Sequence, residues 1–374
     1  MRVLYIARYR NALMERKIAL LAACPDIELT FVRPGRWRDA YGHVDLPVIP
    51  DQPYHTLAVP LIGSPTDHHR VLYRTLRFGM TAFKPDLIHA EEEPDSLAAL
   101  QIALARRLFA PRARLILHTW QNLNRPKAWY VWQVTRATLR QADAILGSTA
   151  EAVTVLREMG YTGPAEVVLQ EGVNLEVFRP QEKLPTSEKF TITYAGRLAE
   201  EKGLDTMLHA LPHLDTHAQL MLIGSGPTRA DLEALTHALG LDDRVTFTGP
   251  VPIERMVELL NQSQALVLPS RTRPWWKEQF GRVLVEAMAC KVPVVGSDSG
   301  AIPGVIGDVG LVFPEGDVAA LTACLQRLIA SPELCEKLAE KGYRRVHQYY
   351  SQERIAEQTA QFYRHTMSSP DLHK

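Results

Sequence analysis

The sequence TRPWWKEQFGRVLVEAMACKVPVV, residues 272–295, contains two glutamates eight positions apart, Glu278 and Glu286. Glu278 precedes the turn QFGR, and the apolar run VLVEAMA around Glu286 is typical of a buried helix. Side chains at this spacing can share one helical face, because eight residues span slightly more than two turns. A carboxylate within an apolar run needs a partner or a ligand. The stretch therefore predicts a strand–turn–helix junction with two acids at one binding surface.

The turn itself supplies further binding groups. Phe280 and Gly281 place backbone amides at the start of the predicted helix, where anionic or hydroxyl-rich ligands bind well. Glu286 is then positioned for a ribose diol and Glu278 for a second set of hydroxyls. The bare spacing also fits two acids on a solvated helix face. The neighbouring Trp275 and Trp276 either stack on a sugar or an acceptor, or pack at the base of the loop.

Composition sets the broad class of the protein. A chain of 374 residues with 46% hydrophobic and 22% charged residues predicts two globular domains of similar size. A formal net charge of +0 gives no whole-molecule attraction to nucleic acid, so no nucleic-acid partner is expected. The four cysteines lack metal-binding spacing. Without a secretory signal or a spanning apolar segment, we expect a cytoplasmic protein that is at most peripheral at the inner membrane face.

Short apolar runs of strand length alternate with helical patterns in the first half. This alternation predicts a parallel sheet that is covered on both faces and binds ligands at the carboxyl ends of its strands. Attention therefore falls on His89, His118 and the residues after Ala7. The predicted strands are Val3–Ala7, Leu29–Val32, Leu87–His89, Leu115–His118, Ala144–Gly147 and Glu166–Leu169.

Local signals divide the first half further. The loop ARYRN after the first strand has no GxGxxG, which argues against a nicotinamide or flavin site there. The sequence STAE, residues 148–151, predicts a capping box that begins with Ser148.

Residues 68–84 place apolar side chains on one face of a predicted helix and arginines on another. Of the acids 91–93, one carboxylate is expected to face an interdomain cleft, or two of the three to face water.

The second half begins after a stretch rich in proline and charge, residues 172–189, which we interpret as the interdomain linker. The next strand ends in GRLAEEKG, with Arg197 at the strand end and Lys202 at the mouth of a helix. Two cations beside free backbone amides suit a departing diphosphate. A glycine turn at Gly224 and a loop that contains Val251 follow further strands.

The Glu-x7-Glu pattern, the letters EQFGRVLVEAMACKVPVVGSD and the upstream GRLAEEKG resemble the family-4-type retaining glycosyltransferases of group 1. The resemblance implies the GT-B arrangement, an α/β fold with two Rossmann-like domains that face each other across a cleft. We expect an acceptor-side domain over residues 1–175, completed by a helix over 354–374, and a donor domain over 176–353. The glycine pair common in the first loop of this family is absent here. Arg8 is therefore expected either to supply its charge to a ligand or to be a solvated loop residue.

The resemblance implies a hexosyl transfer from a nucleotide diphosphate sugar, with retention at the anomeric carbon. The sequence has no DxD motif and no His-rich metal constellation, so we expect no essential metal and no other cofactor. Arg197 and Lys202 are expected to stabilise the leaving diphosphate, while Glu278 binds the sugar hydroxyls. His118 is expected to contact the sugar from the other domain, although a histidine at a strand end is also commonly structural. The expected catalytic residues are thus Arg197, Lys202, Glu278 and His118, and the expected binding residues are Glu286, Gly196, Gly224, Val251, Phe280, Gly281 and Arg282.

The acceptor is expected to be a glycan, a lipid-linked compound or a small molecule. The basic and aromatic segments 68–84 and 125–140 either contact an anionic membrane or pack as helices with solvated outer faces. Two other readings of the same fold are a sugar-nucleotide epimerase and a phosphorylase. A reading of a different class is a non-catalytic sugar-nucleotide sensor, which would tolerate the loss of Glu278.

Overall fold

The chain forms two compact units, each built on one parallel β-sheet. The computed structural model describes residues 1–9, 15–39, 42–46, 49–67, 69–181 and 189–368. One unit contains Met1–Gly172 with Gln352–Lys374, and the other contains Val173–Ser351. Two parallel α/β units confirm the predicted fold class. Positions 68, 182–188 and 369–374, in the predicted basic helix, the linker and the last helix, lie outside the described residues.

The first unit contains a seven-stranded parallel sheet with the order β11-β10-β9-β8-β1-β2-β5. Every strand predicted for this half is present in it, within one or two residues at most ends. The edge strand β5 was not predicted, because its sequence HTLA has no run of apolar residues. The strands are β1 (Arg2–Ile6), β2 (Glu28–Arg33), the antiparallel pair β3 (Arg36–Asp39) and β4 (Gly42–Asp45), β5 (His55–Ala58), the antiparallel pair β6 (Leu61–Ile62) and β7 (Leu72–Tyr73), β8 (Leu87–Ala90), β9 (Arg114–Thr119), β10 (Ala144–Gly147) and β11 (Ala165–Val167).

The helices of this unit correct one prediction. Residues 68–84 do not form a single helix, because strand β7 takes Leu72–Tyr73 and only Arg77–Thr81 is helical. Leu76 and Met80 are nevertheless buried, so the apolar spacing reflected burial rather than one continuous helix. The helices are α1 (Arg16–Ala22), α2 (Arg77–Thr81), α3 (Leu97–Phe109), α4 (Trp129–Leu139) and α5 (Ala150–Glu158).

The start of α5 also differs from the prediction. The side chain of Thr149, not Ser148, accepts a hydrogen bond from the amide of Ala152 at 3.2 Å and caps the helix. Ser148 lies one residue earlier, at the carboxyl end of β10, and its Oγ is 3.4 Å from Nε2 of His118. The residue that the sequence assigned to capping therefore faces the interior of the unit.

The second unit contains a six-stranded parallel sheet with the order β14-β13-β12-β15-β16-β17. Its central strands are apolar and buried, as two-sided coverage by helices requires. Its strands are β12 (Phe190–Ala195), β13 (Ala218–Ile223), β14 (Val245–Gly249), β15 (Ala265–Leu268), β16 (Val294–Ser297) and β17 (Leu311–Phe313). Its helices are α6 (Leu204–Ala210), α7 (Arg229–Ala238), α8 (Ile253–Asn261), α9 (Arg282–Ala289), α10 (Ile302–Ile306), α11 (Val318–Ala330) and α12 (Pro332–Tyr349).

The last helix, α13 (Gln352–Ser368), belongs to the first unit, where it packs against α1. Its inner face buries Phe362 and Tyr363, and the apolar Phe362 side chain contributes about 1.5–3 kcal/mol by leaving water. Among the described helices, none combines the length and the apolar character that crossing a membrane requires.

Candidate active site

Three neighbouring strands of the second unit end in glycine loops. The amide of Gly196, after β12, donates to the carbonyl of Ile223 at 2.9 Å, and the amide of Gly224, after β13, donates to the carbonyl of Gly249 at 3.0 Å. Gly224 has φ +129°, and a Cβ there would collide with the carbonyl oxygen of Gly196. Only glycine fits this approach. The loops therefore join into one surface of backbone atoms at the carboxyl edge of the sheet.

Arg197 and Val251 lie on the same edge. Arg197 follows Gly196 directly, and the amide of Leu198 donates to the carbonyl of Ser225 at 3.0 Å, which fixes the loop. The Arg197 side chain is exposed and forms no ion pair with any described residue. Val251 is half-buried two positions after β14. An unpaired guanidinium beside open backbone is suited to bind an anion.

Lys202 reaches this edge through a 3-10 turn, Glu200–Lys202, that ends at Gly203 with φ +62°. A Cβ on Gly203 would collide with the carbonyl of Pro269, which follows β15. The backbone of the Lys202 turn therefore lies directly against the loop that leads to Glu278.

Lys202 and Glu278 form an ion pair, with Nζ 2.7 Å from Oε2. Ser270 Oγ donates to the same carboxylate oxygen at 2.9 Å, and the Lys202 ammonium lies 4.4 Å from the centre of the Trp276 ring. The side chains are 17% and 10% exposed, so the pair is accessible but largely desolvated. The residues assigned to the diphosphate and to the sugar hydroxyls thus contact each other. Trp276 packs on the lysine, whereas Trp275 is exposed.

The carbonyl of Glu278 is held as firmly as its side chain. It accepts a hydrogen bond from the amide of Ala301 at 3.1 Å, and a Cβ on Gly300 would collide with it. Neither Gly300 nor Ser270 was predicted from the sequence. Ser270 had a usable signal, because it is a polar residue just after a buried strand.

Glu286 has a different partner, Arg282, whose Nε lies 2.9 Å from Oε1 within α9. Burial raises the pKa of the Glu286 carboxyl, and the arginine opposes that rise. Phe280 is buried against Tyr350, with ring centroids 5.7 Å apart, so its side chain is a packing group. A contact between its backbone and a ligand stays a prediction. Gly281 has φ +76° and gives α9 no side-chain cap.

The carboxyl end of β8 in the first unit carries the acids 91–93. The expectation that two of them face water does not hold, and a carboxylate at an interdomain cleft stays a prediction. Glu92 is buried and accepts two bonds from Arg8, at 2.9 and 2.8 Å. Glu91 binds Tyr5 and Lys17, and Glu93 accepts from the Thr119 hydroxyl. No acid of this triplet is left to face water.

The same pairing decides the role of Arg8, whose side chain is 8% exposed. It is neither a solvated loop residue nor free to supply charge to a ligand, because Glu92 accepts from two of its guanidinium nitrogens and the Pro65 carbonyl accepts from the third at 2.8 Å. Burial raises the pKa of Glu93 to about 7, against the effect of its bonds from Thr119 and the Trp120 amide. This end of the sheet is therefore an internally neutralised ionic cluster.

His118 lies in a directed chain of hydrogen bonds in the same unit. Its Nε2 lies 2.7 Å from the carbonyl of Val168, which can only accept, so Nε2 carries the proton. Nδ1 of His118 therefore accepts from Nε2 of His89 at 3.2 Å, and Nδ1 of His89 accepts from the Tyr363 hydroxyl at 2.5 Å. Burial lowers the pKa of both histidines and favours the neutral rings that the chain requires.

His118 is 0% exposed, so in this structure its ring is closed to any ligand. A contact with a sugar stays a prediction, and it requires the ring to change partners. His89, Glu91 and His118 lie close enough to hold a metal ion. The facing ring nitrogens instead bind each other, and the Lys17 ammonium lies 3.3 Å from Glu91. The absence of a metal from the reaction also stays a prediction.

Comparisons with known proteins agree with the two-unit α/β fold. The family model described as glycosyl transferases group 1 matches residues 176–345, and the model described as glycosyl transferase 4-like domain matches residues 4–170. A structure of Anabaena HepE in complex with UDP superposes with a TM-score of 0.76 at 17% identity, over 98% of this chain and 100% of that chain. At that identity the superposition shows the fold alone.

Two relatives illustrate the range of similar proteins. The alpha-D-kanosaminyltransferase of Streptomyces kanamyceticus is 28% identical over 301 residues, which cover 74% of this chain and 76% of that protein. The MMP alpha-(1->4)-mannosyltransferase of Mycolicibacterium hassiacum is 31% identical over 256 residues, which cover 65% of this chain and 59% of that protein. The matched part thus spans between about three fifths and three quarters of these two relatives.

Proposed function

The chain belongs to the group 1 glycosyltransferases, and from this premise we propose that it transfers a hexosyl unit from a nucleotide diphosphate sugar to an acceptor with retention of configuration. The observation that carries the proposal is the Lys202–Glu278 pair, 2.7 Å apart, at the same sheet edge as the exposed Arg197. An activated sugar needs such cations at its phosphates and an acid at its hydroxyls.

The chemistry follows from where charge develops. As the bond to the anomeric carbon breaks, negative charge grows on the diphosphate, and fixed cations stabilise that charge. Arg197 is available to bind the diphosphate, and Lys202 shifts from Glu278 to a phosphate when the donor enters. Glu278 is then released to accept hydrogen bonds from the sugar, while the Ser270 hydroxyl keeps its hydrogen bond to Oε2 of Glu278.

The acceptor attacks on the face from which the diphosphate departs, and a phosphate oxygen takes the acceptor proton. This path retains the anomeric configuration without a protein nucleophile. Because two side-chain cations balance the leaving group, we propose that no metal is needed. The backbone of Gly196, Gly224 and Val251 supports the nucleotide, and Glu286 binds the ribose after parting from Arg282.

The acceptor side lies in the first unit in this proposal, and part of its surface suits a membrane. Phe78, within the basic segment 68–84, is 68% exposed, and Trp129 and Tyr130, within the basic segment 125–140, are 76% and 58% exposed. Aromatic rings with cations favour the surface of an anionic bilayer. Sedimentation with anionic vesicles tests this contact, and a Trp129→Ala/Tyr130→Ala variant that sediments as well as the unaltered chain would contradict it.

A panel of UDP-, GDP- and ADP-sugars, each with and without acceptors, tests the transferase itself. Nucleotide released only with an acceptor supports transfer, and proton NMR of the product gives its anomeric configuration. Conversion of the donor sugar without acceptor identifies an epimerase, and dependence on orthophosphate a phosphorylase. Binding without release in any mixture identifies a sensor. Unchanged turnover with excess chelator supports a reaction without a metal.

A further inference from the structure

The first unit contains a cavity of about 1450 Å³ at the end of its sheet opposite to the acids 91–93. Three of its lining residues, Arg114, Asp143 and Pro164, stand at the starts of β9, β10 and β11 or just before them. No residue assigned to sugar transfer lines it. The cavity therefore needs an explanation of its own.

Its lining is strongly basic. Five arginines line it, against two acids, Asp143 and Glu158. Arg106 binds Asp143 at 3.3 Å and donates to the carbonyl of Gln141 at 2.7 Å. The charges of Arg106 and Asp143 therefore neutralise each other, and these bonds hold the Arg106 side chain in place. The other arginines are Arg112, Arg114, Arg136 and Arg140.

Three of the arginines remain available to a ligand. Arg112, Arg136 and Arg140 are exposed and form no ion pair with any residue in the described ranges. An arginine in the last turn of a helix offsets the negative helix end by about 0.3–1 kcal/mol, which accounts for Arg136 in α4. It does not account for Arg112, which lies in the loop between α3 and β9 and faces the same cavity.

The rest of the wall is aromatic and apolar. Trp132 is half-buried and Leu139, Met159 and Tyr161 are buried, and all four line the cavity. Guanidinium groups bind phosphate oxygens in a two-pronged geometry, and apolar walls strengthen such bonds by excluding water. We propose that this cavity binds a phosphorylated compound with two or more negative charges, held by Arg112, Arg136 and Arg140.

Tripolyphosphate serves as the probe, titrated calorimetrically into the full chain that carries Arg197→Ala and Lys202→Ala. Those changes remove the cations proposed for the donor diphosphate, so the signal comes from other sites. We expect Arg136→Glu/Arg140→Glu on that background to raise the Kd of tripolyphosphate by at least about tenfold, because two cations become anions. A separate Arg112→Glu variant is expected to raise this Kd as well. Thermal melting checks that each variant is folded.

The control is Arg74→Glu/Arg77→Glu, two exposed arginines of the same unit that do not line the cavity. It makes the same charge change and is expected to leave the affinity within twofold. Equal affinity of the Arg136→Glu/Arg140→Glu protein and its parent, or equal loss in the control, would overturn the proposal. Neither result bears on sugar transfer, which is read from donor turnover.

Vesicles of anionic phospholipid distinguish the two sources of phosphate. Arg112 lines the cavity but lies outside the basic segments 68–84 and 125–140, so its variant separates the cavity from those segments. If Arg112→Glu also abolishes sedimentation with these vesicles and Arg107→Glu, at an exposed position outside the cavity, does not, the cavity takes a lipid headgroup. If the Arg112→Glu variant loses only tripolyphosphate, the ligand is a soluble phosphate compound. Both outcomes support a phosphate site in the cavity.

Discussion

Two groups of charged residues stand at the carboxyl ends of parallel strands, and they differ in what surrounds them. In the first unit Arg8 and Glu92 are buried and bind each other at two points. In the second unit Arg197 is exposed beside glycine loops, and the Lys202–Glu278 pair keeps some access to solvent. The position at a strand end is the same in both. What differs is whether the protein itself already supplies the counter-charge.

The comparison indicates that a strand-end charge is a binding group only where its partners can be exchanged. Opening a desolvated pair is costly, because a charge that stays buried without its partner lowers the free energy of unfolding by several kcal/mol. A partly exposed pair can exchange its partner for a ligand at lower cost. The four predictions below test this distinction.

The largest expected effect is on stability, in the first group. Arg8→Ala leaves the Glu92 carboxylate buried without its main partner and should lower the free energy of unfolding by about 3–5 kcal/mol. Urea denaturation followed by fluorescence measures it. Arg2→Ala is the control, because Arg2 pairs with Asp86 at 3.7 Å on the surface of the same sheet. A loss under about 1 kcal/mol for both would show that the buried pair is not distinctive.

The second prediction concerns turnover in the second group. Arg197→Ala and Lys202→Ala should each lower kcat by about 10²–10³, because each removes a cation from the developing phosphate charge. The stability of Arg197→Ala should change by less than about 0.5 kcal/mol, since its side chain is exposed. Arg255→Ala and Lys341→Ala, exposed paired residues of the same unit, are the matched controls. Full activity of the double variant would remove these two residues from the mechanism.

The third prediction tests the backbone surface that makes the second group open. Gly224→Ala forces a side chain into φ +129° and against the Gly196 carbonyl, so we expect a loss of about 1–3 kcal/mol in stability with weaker donor binding. Gly304→Ala is the control, because a Cβ there meets no atom within 4 Å. Thermal melting and donor titration measure both. If the two variants behave alike, close approach of the loops does not matter.

Over a single pH unit, the smallest effect is a pH dependence of the first group. The pKa of Glu93 is about 7 in the folded chain and about 4.5 in the unfolded chain, so the folded state keeps its proton longer. The contribution of Glu93 to the free energy of unfolding is fully present below pH 4.5. It falls as pH rises towards 7, by at most about 1.4 kcal/mol per pH unit.

Glu93→Gln imitates the protonated acid and should remove this loss. Its stability relative to the unaltered chain should therefore rise between pH 5 and pH 8, as measured by urea denaturation at both values. Glu166→Gln, a change at an exposed position, should show no such trend. A constant difference for Glu93→Gln across this range would mean that the carboxyl is already ionised at pH 5.

The predictions from sequence succeeded where the signal is local. Apolar runs located both parallel sheets, because burial on two faces leaves continuous apolar stretches within a few residues. They failed where local signals compete. Residues 68–84 satisfied a helical spacing but contain β7, and Ser148 and Thr149 are both good caps, of which the fold uses Thr149.

The sequence by itself determined the class of fold, the family and the short segments from which the candidate site is made. Only the tertiary structure decided which charges are available, because ion pairs join distant positions. Arg8 and Glu92 are 84 positions apart, and Lys202 and Glu278 are 76 apart. Sheet order and register bring such residues together, and an apolar pattern fixes which face is buried without specifying which strand lies beside it. Burial then sets whether a charge is neutralised by the protein or left for a ligand.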